Sequence, residues 1–236
     1  MKQNLSGKRA IITGGTGELG SVVTDRFLEE GIKVAISYRR VEELSRFSTS
    51  SRARILAVQA DVTAESEVIG LFEAVLMNLG SVDIVVNTVG GFVGGKPITD
   101  VSVEEWDRMM DVNLKSTFLC TREALRAMRD RTYGRIINIS AMSGLRPSPG
   151  RSAYAVSKSA VSLFSEIAGM EQKGTGITVN AIAPSIIDTK ANRSSMPGEN
   201  YDRWIKPEEV ADIICYLCSE AAGGITGGTI RASGGL

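Results

Sequence analysis

The chain has 236 residues, 43% of them apolar, and its 27 basic and 27 acidic side chains give a formal net charge of zero. One sizeable α/β domain spanning 1–236 fits that length, and a balanced charge leaves no basic footprint for nucleic acid. Histidine is absent, which removes histidine-activated nucleophiles and histidine metal ligands; acid–base work falls to Tyr, Lys, Asp, Glu or Cys.

The opening segment MKQNLSGKRA is polar, unlike a secretory leader, and no apolar run approaches the roughly 18–20 residues of a membrane span. A cytoplasmic protein with a small-molecule substrate and neither membrane nor nucleic-acid partner is expected. Apolar runs rich in Ile and Val at 8–13, 33–38, 54–60, 82–88, 134–140 and 176–182 read as strands buried on both faces. Between them, 18–31, 64–79, 103–130 and 153–173 carry apolar residues at helical spacing. Such alternation predicts right-handed βαβ units. The fold class is therefore α/β: a doubly wound Rossmann arrangement with a mostly parallel, seven-stranded sheet flanked by helices. The polar stretch 190–204, broken by Pro197 and Gly198, is either a lid or an ordinary surface connection. Cys215 and Cys218 form a C-x-x-C within a helical pattern, and with Cys120 they are read as core residues, with no metal site expected.

The first strand runs into Gly14-Gly15-Thr16-Gly17-Glu18-Leu19-Gly20, in which Gly15, Gly17 and Gly20 spell G-x-G-x-x-G. Between a strand and a helix this spacing lets the backbone approach a pyrophosphate, whose charge then rests at the helix N-terminus. After the second strand come Arg39 and Arg40, with no acid before Glu42. A guanidinium there suits a ribose 2′-phosphate, so NADP(H) is preferred and NAD(H) remains possible.

From this point the chain resembles the short-chain dehydrogenase/reductase family along essentially its whole length, most nearly its 3-oxoacyl-carrier-protein reductases. Asp61-Val62 is similar to the family's adenine contact, and Asn87-Thr88-Val89-Gly90 to its Asn-Asn-Ala-Gly. Asn113 matches a catalytic Asn, and Tyr154-Ala-Val-Ser-Lys158 matches Tyr-x-x-x-Lys. The segment 180–189 resembles the Pro-Gly stretch, with Ser185 in place of Gly, and ITGGTIRASGG resembles the last strand. The resemblance implies a nicotinamide cofactor held by Gly14, Thr16, Gly17, Leu19, Gly20, Arg39, Asp61, Val62, Asn87, Gly90, Tyr154, Lys158, Pro184 and Ile187. It also implies a homodimer or homotetramer.

Tyr154 and Lys158 lie four apart on a helix and share a face. An ammonium beside a phenol favours phenolate, so Lys158 is expected to lower the Tyr154 pKa toward a range useful to a general acid. The resemblance implies that Lys158 also holds the nicotinamide ribose and that Asn113 orders a proton-relaying water.

Two positions depart from the family. Glu18 stands where its middle glycine usually lies, and is expected to turn outward from the pyrophosphate. Ala141 stands thirteen residues before Tyr154, where the family has a catalytic serine; Ser140 and Ser143 flank it as candidate replacements. In an extended segment Ser140 points away from the face of residue 141, whereas Ser143 can return to it. Three functions follow: a carbonyl reductase; a reductase of a conjugated C=N substrate, resembling dihydropteridine reductases through Gly90-Gly91-Phe92-Val93-Gly94-Gly95; or a weakly catalytic NADP(H)-binding sensor or partner subunit.

Overall fold

The computed structural model describes residues 4–235. Its strands are β1 (Arg9–Thr13), β2 (Lys33–Tyr38), β3 (Ile55–Gln59), β4 (Ile84–Asn87), β5 (Gly134–Ile139), β6 (Ile177–Pro184) and β7 (Thr229–Ala232). They form one sheet in the order β3-β2-β1-β4-β5-β6-β7, and every neighbouring pair is parallel. The mostly parallel sheet expected from sequence is thus wholly parallel. Its helices are α1 (Glu18–Glu29), α2 (Thr49–Arg52), α3 (Glu65–Leu79), α4 (Val103–Met109), α5 (Ser116–Ala127), α6 (Met142–Leu145), α7 (Ser152–Glu171), α8 (Lys190–Ser195) and α9 (Pro207–Cys218).

The strands are buried on both faces because helices cover both. On one side Val23 and Phe27 of α1 and Val210, Ile214 and Cys218 of α9 pack on the β-strand residues Ile12, Ile36 and Val86. On the other, Leu71 and Val75 of α3 meet Leu119 of α5 and Ala168 of α7 over Ile11, Val85 and Ile136. Cys120, Cys215 and Cys218 are buried in these two cores. Burial pushes the Cys215 thiol up to about 12 and the other two higher than an ordinary thiol, which leaves them packing residues rather than nucleophiles.

The stretch 103–130 is not one helix. Residues Met110–Lys115 form a π-helical turn between α4 and α5. Helical periodicity runs through such a turn, which is why sequence reading misses it; π turns often mark functional sites. The stretch 190–204 is also more ordered than its composition suggests. It contains α8, and Trp204 is buried with its ring 4.7 Å from Tyr201. A bridge between Ile187 and Ile205 closes its base.

Strand order reverses between β1 and β4, opening a crevice at the carboxyl ends of the strands, the usual ligand position in doubly wound sheets. A buried polar seam stiffens the sheet beneath it. Asn87 Nδ2 donates to Asn138 Oδ1 at 2.8 Å and to Thr121 at 3.3 Å, and Asn138 Nδ2 donates to Ser165 at 2.9 Å. These bonds tie β4 and β5 to α5 and α7.

Candidate active site

The glycine-rich turn is built by close backbone packing. Gly14 has φ +62°, which excludes most side chains. A Cβ on Gly20 would lie 2.2 Å from the Gly14 carbonyl oxygen. Gly17 is the N-cap of α1 and supplies no side-chain cap, so the first-turn N–H groups of this helix face outward for an anion. Gly14 N–H donates to Ser37 Oγ at 2.9 Å, fixing the turn to the end of β2.

In front of the turn lies a cleft of about 290 Å³. Of the residues expected to hold a cofactor, Gly14, Thr16, Gly17, Arg39, Asp61, Val62 and Gly90 line it. Arg40 lines it too, and so do Glu43 and Arg46, which escaped the sequence reading because only the fold returns 41–46 to the turn. Glu43 accepts from Thr16 Oγ1 at 2.8 Å and from Arg40 Nε at 3.0 Å. Arg40 is thereby neutralised, while Arg39 and Arg46 have no carboxylate within salt-bridge distance among the described residues. Although burial opposes it, the hydrogen bonds from Thr16 and Arg40 hold the Glu43 carboxyl below its ordinary range. Asp61 accepts from both the amide and hydroxyl of Thr63 at 2.9 and 2.7 Å, which lowers its carboxyl likewise.

Two expectations for this cleft need correction. Asn87 is buried in the polar seam and does not line the cleft, so its contribution is to hold β4 in place. Leu19 packs against the core under α1 instead of lining the cleft. Glu18 turns away from the turn, toward α8, where its Oε2 accepts from Ala191 N–H at 3.4 Å.

A second cavity, of about 600 Å³, lies beside α7. Ala141, Ser143, Tyr154, Pro184 and Ser185 line it, with Asn192 and Met196 from the 190–204 segment. Ile187 lies just outside, in the bridge to Ile205. The Phe92 ring packs edge-on against Tyr154 at 4.9 Å.

Between the cavities sits a buried cluster. Asn113, on the π turn, accepts from Gly91 N–H at 2.9 Å and donates to Gly91 O at 3.1 Å and Ser157 Oγ at 3.0 Å. Lys158 Nζ donates to the Ile139 carbonyl at 2.8 Å. A Cβ on Gly90 would meet Asn113 Oδ1 at 3.0 Å and Lys158 Nζ at 3.1 Å, so a larger residue there would push on both side chains.

The electrostatics differ from expectation. Burial raises the Tyr154 phenol above its ordinary value; the charge that opposes the rise is Arg151, not Lys158. Lys158 is itself buried and lowered to about 8. Its ammonium is turned to the end of β5, and desolvation outweighs proximity.

The two candidate serines separate cleanly. Ser140 Oγ donates to the Lys158 carbonyl at 2.7 Å and lies 2.8 Å from Ser162 Oγ, buried between β5 and α7. It is committed to that packing and cannot reach the cavity. Ser143 lines the cavity beside Tyr154, and its Oγ accepts from Arg151 Nη1 at 3.3 Å. Gly144 follows because α6 touches α7 there: a Cβ would lie 2.6 Å from Ser159 N.

A family model described as short chain dehydrogenase matches residues 8–200. The chain belongs to the short-chain dehydrogenase family. Among curated members, Glucose 1-dehydrogenase 2 of Bacillus subtilis is 32% identical, the alignment covering 100% of this chain and 97% of that protein. The 3beta-hydroxysteroid dehydrogenase 1 of Eggerthella lenta is 35% identical over 100% and 96%. Among solved members, ElxO with NADP bound superposes with a TM-score of 0.90 at 29% identity, covering 97% of this chain and 98% of that one. A blue fluorescent protein from a metagenomic library, in complex with NADPH, gives 0.88 at 28% identity over 99% of both. This short-chain dehydrogenase is therefore an oxidoreductase with the family's wholly parallel Rossmann sheet.

Proposed function

We propose that this short-chain dehydrogenase is an NADP(H)-dependent reductase of carbonyl compounds. The observation that carries the reading is the buried Asn113–Gly90–Lys158 contact, which links the cleft at the glycine-rich turn to the cavity holding Tyr154. The cleft's residues fit a dinucleotide: a turn whose close approach is kept by Gly14 and Gly20, an uncapped helix N-terminus for the pyrophosphate, and Arg39 with Arg46 for a 2′-phosphate. That structural neighbours hold NADP and NADPH supports the same choice. When bound, the nicotinamide supplies the hydride.

The chain's own residues do the rest. Tyr154 holds the proton destined for the substrate oxygen, and its raised pKa keeps it protonated at neutral pH. Ser143 supplies the hydrogen bond that the serine absent at 141 would give. Because Arg151 donates into Ser143 Oγ, the hydroxyl hydrogen is left free for that oxygen. Lys158 would help hold the ribose of a bound nicotinamide with its positive charge, and Asn113 holds the Gly90–Gly91 backbone that shapes the passage. Retention of this whole cluster weighs against a non-catalytic sensor.

The test is consumption of NADPH with a panel of ketones, aldehydes and oxo acids, read as kcat/KM for NADPH against pH. Reduction is expected, constant at low pH and falling above about pH 8, where the free enzyme loses the Lys158 ammonium. No consumption with any carbonyl would contradict the assignment, and a profile flat to well above pH 9 would contradict the role given to Lys158.

Assembly as a homodimer or homotetramer is supported by an exposed apolar row: Phe118 on α5 with Val156, Leu163, Ile167 and Met170 on α7. Light scattering is expected to give two or four chains per particle and to give one for L163E/I167E; a wild-type monomer would exclude this face as an interface.

A further inference from the structure

Arg151 is the one charged residue among those lining the 600 Å³ cavity, and no carboxylate lies within salt-bridge distance of it among the described residues. Glu105, which pairs with Lys96, and Asp188, which pairs with Arg193, do not line the cavity. A half-buried guanidinium without a counter-ion is costly unless a ligand supplies one. Two contacts orient it. Nη1 is bonded to Ser143 Oγ, and the guanidinium carbon lies 5.9 Å from the centroid of the Phe92 ring. It is also the N-cap of the twenty-residue α7, where the helix dipole adds positive potential. One N–H is used on Ser143, and the remaining donors of the fork are free for a carboxylate.

Tyr154 follows three residues later, roughly 4.5 Å further along the helix axis. Phenol and guanidinium can therefore serve two ends of one short molecule. The remaining walls include Phe92, Met142, Pro149, Ile186 and Met196, an apolar surface suited to an alkyl tail.

We infer that the substrate is an oxo acid: a carbonyl compound whose carboxylate, a few bonds from the reacting carbon, is bound by Arg151, with an apolar tail in the rest of the cavity. This assignment rests on the reductase reading and narrows it. In the reaction the carbonyl carbon takes the hydride of NADPH, which is left as NADP+. The oxygen takes the Tyr154 phenolic proton, and the tyrosinate is reprotonated from water. The product is the hydroxy acid.

The test compares 2-oxooctanoate and 4-oxooctanoate with their methyl esters, for the wild type and for Arg151→Gln. At least one acid is expected to exceed its ester about tenfold or more in kcat/KM. R151Q is expected to lower the acid about 30-fold further than it lowers the ester. Any loss of Ser143 positioning touches acid and ester alike and cancels in that ratio. Equal rates for acids and esters, or equal losses in R151Q, would overturn the inference. Binding provides a readout independent of turnover: Kd from quenching of bound-NADPH fluorescence in the Tyr154→Phe background. If no carbonyl is reduced, the reductase reading fails by itself. Tighter binding of acid than ester, lost with R151Q, would still uphold the anion site, and equal binding would remove it.

Discussion

Tyr154→Phe is expected to lower kcat for carbonyl reduction by about 10²–10⁴-fold, the usual contribution of a positioned general acid. NADPH affinity should stay within about threefold, because the hydroxyl lies in the second cavity while the nucleotide cleft is lined by other residues. The fold should be unaffected. Among the described residues the Tyr154 hydroxyl makes no hydrogen bond, and the ring's edge-on contact with Phe92 is retained by phenylalanine. Steady-state rates beside a fluorescence titration of NADPH check both halves. A variant keeping more than a tenth of the wild-type rate would show that the proton comes from elsewhere.

Gly20→Ala is expected to weaken NADPH binding about 10- to 100-fold. Its Cβ would sit 2.2 Å from the Gly14 carbonyl oxygen and 3.0 Å from Gly15 Cα. Both obstacles are backbone, so relief requires opening the turn that would cradle the pyrophosphate. Overpacking of this kind typically costs about 1–3 kcal/mol, and 1.4 kcal/mol is tenfold in Kd. Gly70 in α3 is the control. It is exposed, and a Cβ there meets nothing within 4 Å. Gly70→Ala should leave Kd unchanged and raise thermal stability slightly, since alanine is the better helix former. Unaltered NADPH binding in G20A would place the dinucleotide elsewhere.

The sheet was legible because strands covered on both faces must be nearly continuous runs of Ile and Val, and the interposed helices carry one apolar stripe each. The glycine turn was legible because its spacing has a steric cause, seen at Gly14 and Gly20. The π turn at 110–115 was not, since one widened turn barely shifts the apolar periodicity. Side-chain direction was the other blind spot. Four-residue spacing placed Lys158 on the Tyr154 face of α7, yet its ammonium is drawn to the Ile139 carbonyl at the end of β5. Asn87 was expected at the cofactor from its likeness to the family's Asn-Asn-Ala-Gly, and Ser140 was a candidate because it adjoins Ala141; local packing turns both inward, Ser140 in line with the strand alternation that points it away. Arg151 had a visible signal, three residues ahead of the tyrosine, but only the cavity shows that its charge lacks a partner.

Ala141 remains the point on which the chemistry turns. Ala141 lines the cavity beside Tyr154 without a hydroxyl, and Ser143 presents one from two residues further on. The most direct test is kcat for carbonyl reduction in Ser143→Ala and in A141S/S143A. Loss of one such donor should lower kcat about 10²–10³-fold, and restoring a hydroxyl at 141 should recover at least tenfold of that loss. Full activity in S143A, or no recovery in the double variant, would contradict a donor moved from 141 to 143.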